Sequence, residues 1–156
     1  MSRVRTLRNA IRAGIAGLPG LSAGIAAGTI RLEDAPTVEH AWEAALDKPS
    51  IVIVYAGKRK EGGKLSTREN DDFTFLWHLV SIADSYQRED TLDGIYEAEE
   101  IAELVLALRG VKLATMGGEA VHLAYASETQ AVPPGRPLEG GKAAVVQTWE
   151  STKVRV

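Results

Sequence analysis

The chain has 156 residues, of which 45% are hydrophobic and 25% charged, with a net charge of −3. That length fits one domain spanning residues 1–156, and a chain of this size buries roughly two thirds of its unfolded surface without staples. Cysteine is absent, which excludes disulfides, thiolate nucleophiles and cysteine metal sites. The slightly acidic balance gives no global case for nucleic-acid binding.

No run approaches the roughly 18–20 apolar residues of a membrane span, so no membrane contact is expected. Val4, Leu7, Ile11, Ile15 and Leu18 recur at spacings of three and four, predicting an amphipathic helix that Pro19-Gly20 stops. Arg3, Arg5, Arg8 and Arg12 precede the first acidic residue, Glu33. They read as the solvated face of a docked helix, with an organelle transit peptide as the other reading.

Residues 25–32 end in Thr29-Ile30-Arg31-Leu32, a modest strand signal. Thr37 is a candidate N-cap for a short helix through Trp42 and Leu46, ended by Lys48-Pro49. Ile51 to Tyr55 is apolar on both faces and predicts a central strand. A polar connection, Gly57 to Asn70, follows, carrying Lys58, Arg59, Lys60, Lys64 and Arg68. Phe73 to Ile82 predicts a second strand, with Phe73, Phe75, Trp77 and Leu79 on one face and Leu76, Val80 and Ile82 on the other.

Leu92 to Leu108 turns helical, capped by Thr91 or Asp90 and stopped by Gly110. Val111–Met116 and Ala120–Tyr125 flank Gly117-Gly118 as a hairpin. Pro133 to Gly141 is a loop, and Ala143–Glu150 is the last strand before a charged tail. The order predicts an α+β fold, a mainly antiparallel sheet with two principal helices on one face. The apolar residues on the other face then need cover from another molecule, which points to assembly.

Candidate chemistry is sparse. Gly20-Leu21-Ser22-Ala23-Gly24 matches the nucleophile-elbow pattern in letters, but a helix and Pro19 precede it where the elbow needs a strand. Gly57 to Lys64 approaches a phosphate loop, yet the lysine does not follow the second glycine, and Leu65 stands where Ser or Thr belongs. A small hydrolase or nucleotide-binding enzyme using Ser22 or Lys64 is therefore the disfavoured alternative. Glu39, His40 and Glu43 share a helical turn but, with His78 and His122 isolated, complete no metal shell. No catalytic residue, metal or cofactor is expected. Asp71-Asp72 and Glu99-Glu100 read as solvated faces.

The succession of a leading amphipathic helix, the Ile51–Tyr55 strand closing on Gly57, a glycine-containing loop, the Phe73–Val80 strand, the Leu92–Leu108 helix and a terminal hairpin with the Val145–Trp149 strand resembles phage tail-terminator proteins. The likeness is strongest to the tail-completion proteins of Mu-like phages and prophages. It implies a virion protein, assembled in the bacterial cytoplasm. It further implies a homo-oligomeric ring, commonly a hexamer, that caps the tail tube and joins it to the head-side connector. A neck or head-completion adaptor is the nearest alternative. By position, the partner-binding candidates are Lys58, Arg59, Lys60, Lys64, Arg68 and Arg136, and the basic loop could also meet passing DNA.

Overall fold

The computed structural model describes residues 3–45, 49–60, 72–83, 91–116, 119–131 and 144–155. The leading apolar stripe forms α1 (Arg3–Ala16), and its Leu7, Ile11 and Ile15 are fully buried. Burial of each contributes roughly 1.5–3 kcal/mol before chain entropy is counted. Gly20 and Leu21 form a turn, and Ser22–Ala27 then form α2. Leu21, seated in the core, anchors this alanine-rich turn of helix. Gly28, at φ 78°, closes it, and the Thr29 N–H donates to the Gly24 carbonyl at 2.9 Å. The first strand, β1, consequently starts at Arg31 and runs to Ala35.

Next come α3 (Val38–Ala45), β2 (Ser50–Lys60), β3 (Asp72–Ile82) and α4 (Thr91–Val105), which continues as a 3-10 turn, Leu106–Gly110. Thr37 caps α3 as expected, its hydroxyl accepting the His40 N–H at 3.2 Å. The hairpin is present as β4 (Ala114–Met116) and β5 (Glu119–Val121), with Met116 opposite Glu119. The predicted strand across Ala120–Tyr125 divides at His122, where β6 (Leu123–Ala131) enters the main sheet. The last strand, β7 (Ala144–Arg155), extends through most of the predicted charged tail.

The main sheet has the order β1-β2-β3-β7-β6. β1 and β2 are parallel, and the other three pairings are antiparallel. A parallel pair needs a crossover, and α3 supplies it. The fold is α+β, and α1 and α4 pack on one face as predicted. That face joins Leu7, Ile11, Ile53, Trp77, Leu79, Val105 and Trp149 in one core.

The opposite face departs from expectation. Val52, Val54, Val80, Ile82, Ala144 and Val146 form a second buried cluster beneath Ala41 of α3, with Val38 and Trp42 packed against it. The crossover helix thus covers much of the surface that the sequence left to a partner. Leu76 and His78, further along the same face, remain half-buried.

Candidate functional site

The basic connection begins as strand. Gly57, Lys58, Arg59 and Lys60 all pair with β3, so the predicted loop loses its first four residues to β2. The pairing of β3 supplies backbone partners that the polar sequence alone does not suggest. A bulge at Ala56 shifts the register between Tyr55 and Gly57, and Gly57 adopts φ +107°. This extra residue inverts the alternation. Tyr55 lies opposite Trp77 on the helix-covered face, Lys58 follows onto the same face opposite Phe75, and Arg59 turns to the other face opposite Thr74.

The two cations have specific neighbours. The Lys58 ammonium sits 4.6 Å from the Phe73 ring centre, a cation–π contact. Arg59 reaches across β3 to Glu150 of β7 with both fork nitrogens, Nη1 to Oε1 at 3.1 Å and Nη2 to Oε2 at 3.2 Å. The Arg59 side chain is still 55% exposed and Glu150 23% exposed, so solvent screens the pair. Lys60 pairs with Phe73 in register. Lys64, Arg68 and Arg136 lie outside the described residues.

A cleft of about 370 Å³ lies between the start of α1 and the sheet, lined by Val4, Arg5, Arg8, Asp34, Tyr55 and Trp77 among others. The Tyr55 and Trp77 rings meet at 5.1 Å between centres, tilted by 52°, and burial raises the Tyr55 phenol above its usual pKa. At its rim, Asp34 of β1 accepts from Arg8 at 2.9 Å and from Arg12 at 3.4 Å. The sequence separates these partners by more than twenty positions, so no local signal announces the triad.

On the β6 side, the Gln147 amide ties three elements together. It donates to the Ala102 carbonyl of α4 at 2.9 Å and to Glu128 at 3.4 Å, and its oxygen accepts the Trp149 indole N–H at 3.3 Å. The Tyr125 hydroxyl donates to Glu128 at 3.3 Å. Burial first, then the Glu128 carboxylate, raises the Tyr125 pKa.

The other sequence candidates do not converge. Ser22 opens α2 after a turn, so the strand-to-helix elbow needed to activate a serine is not formed there. His40 is engaged with its cap residue, His78 with Thr148 at 3.2 Å, and His122 is exposed. Burial lowers the His78 pKa below 6.5. Among the described residues, no three His, Asp or Glu side chains are grouped to hold a metal, and no helix is long and apolar enough to cross a membrane.

The strand residues that flank 61–71 and 132–143 lie at opposite ends of the sheet. Lys60 and Asp72, which flank residues 61–71, lie at the end of the sheet where β7 finishes at Arg155. Ala131 and Ala144, which flank residues 132–143, lie at the opposite end beside Ile82 and Ser50.

No protein-family model matches the chain, and no curated protein matches it. Among solved structures, a chain in the virion of a native gene transfer agent particle superposes with a TM-score of 0.61 at 14% identity, covering 96% of each chain. The two chains share a fold. At 96% of each chain, the likeness concerns the whole arrangement and no isolated motif.

Proposed function

We propose that this chain is a non-enzymatic structural protein of a phage-type particle. More finely, we read it as a tail terminator whose copies close into a ring, commonly of six, between the tail tube and the head-side connector. The observation that carries the reading is the fold shared over nearly the whole length of both chains with a gene transfer agent virion component. The order of elements in the sequence supports it independently. So does the placement of the strand ends, because Lys60 and Asp72 lie at one end of the sheet and Ala131 and Ala144 at the other. A ring subunit that joins two axial partners needs contact surfaces at both ends. The basic strand end at Lys58 and Arg59 belongs to one of these ends and suits an acidic tube protein or passing DNA.

The test is light scattering of the purified chain, alone and with tail tubes. A ring-sized oligomer, or a monomer that assembles on tubes, is expected, and a strict monomer without affinity for tubes overturns the reading. Pull-down that captures a portal-side protein and no tube protein would move the assignment to a neck adaptor.

A further inference from the structure

Charge is distributed laterally across the helix-covered layer. On α1, with Leu7, Ile11 and Ile15 facing the core, the 100° step per residue carries Arg5, Arg8 and Arg12 to the flank above β1. The ion pairs from Arg8 and Arg12 to Asp34 of β1 fix that direction. Helix α1 contains no acidic residue, and its Arg8 and Arg12 share the Asp34 carboxylate on this flank.

On α4, Ala98, Ile101, Ala102 and Val105 face the core. The same geometry carries Glu99 and Glu103 to the flank toward β6, and Leu104 to the flank toward α1, where it lies against Gly20. Glu99 acts electrostatically on Tyr125 of β6, which places it beside that edge. Glu128 of β6 adds a third carboxylate, and Arg109 is the cation among them.

The ladder sets the two flanks level. Asp34 registers with Ile53, Ile53 with Leu79, Leu79 with Gln147, and Gln147 with Glu128. One row perpendicular to the strands therefore runs from the arginine-bound carboxylate at the β1 edge to the carboxylate at the β6 edge. Both are edge strands of the main sheet. The nine-residue β6 carries no lysine or proline to discourage pairing.

From this we infer that neighbouring copies of the chain meet head to tail, with the arginine flank of α1–β1 in one copy against the glutamate flank of α4–β6 in the next. The inference rests on the assembly proposed above and names its lateral interface. Such a contact is heterologous. It uses two different surfaces of each subunit and closes into a ring when the rotation between copies divides a full turn. Opposite charges at one height steer the copies into register and disfavour the flipped, like-to-like pairing.

The test uses two full-length variants, Arg5→Glu with Arg12→Glu, and Glu99→Arg with Glu103→Arg. Each alone would confront like charges at every interface, and self-association measured by sedimentation should weaken at least tenfold. An equimolar mixture restores opposite charges at every contact in an alternating ring, so assembly should return on mixing. Circular dichroism checks that each variant is folded, and the single reversals Arg5→Glu and Glu99→Arg replace the pairs if it is not. Variants that assemble as the native chain does, or folded variants that fail to rescue one another, overturn the interface while leaving the assembly reading standing. A native chain that stays monomeric alone and on tubes overturns both.

Discussion

Replacing Lys58 and Arg59 together by glutamate separates docking from stability. Arg59 makes a two-pronged but solvent-screened pair with Glu150, worth about 0–1 kcal/mol. Lys58 makes a surface cation–π contact with Phe73, worth roughly 0.5–1 kcal/mol. Loss of both, with new repulsion at Glu150, should cost about 1–2 kcal/mol. Against a total stability of roughly 5–15 kcal/mol, the fold survives. At about 2–4 °C per kcal/mol for a chain of this size, the melting temperature should fall by roughly 2–8 °C. Docking to tail tubes, followed by co-sedimentation at 25 °C where the variant is still folded, should be lost. Adding Glu150→Arg restores an opposite pair to the Arg59→Glu position and should recover part of the melting temperature, short of the share due to Lys58, without recovering docking. Unchanged tube binding in the folded double variant would refute the role assigned to this strand end.

Three further outcomes follow from the same geometry. Gly57→Ala meets no neighbouring atom but must hold φ +107°, so thermal melting should show a loss of roughly 1–2 kcal/mol. Gln147→Leu leaves the Trp149 indole N–H without its partner in a fully buried site, and denaturant unfolding should show a loss of about 2–3 kcal/mol. For His78, whose folded pKa lies below 6.5, the unfolded chain binds the proton more readily. Its contribution is complete above pH 6.5 and is lost as pH falls through the lower folded value, so His78→Asn should flatten the pH dependence of the melting temperature in that acid window.

The parts of the fold legible in the sequence are those where one stripe of side chains decides the structure. Leu7, Ile11 and Ile15 announce α1, and the runs Ile51–Val54 and Phe73–Ile82 announce β2 and β3, because burial alone selects their periods. Local signals mislead where tertiary contacts decide. Gly57–Lys60 looks like loop but pairs with β3, and the stretch 25–32, which ends in a strand signal, begins inside a helix, Ser22–Ala27, held by Leu21 and Gly28. The parallel direction of β1 is set by the crossover, and neither strand encodes it. The cover on the second face went unread because Ala41, its fully buried centre, is as common on exposed helices as on packed ones. Among the partner-binding candidates, Lys58 and Arg59 were visible as charges. Their separation onto opposite faces depends on one bulged residue, which charge patterning cannot reveal.

Electron microscopy of purified tail tubes incubated with the native chain tests the structural assignment most directly. A single ring of subunits at one end of each tube, absent from tubes alone, is the predicted image. Bare tube ends at saturating concentrations of folded chain would contradict it.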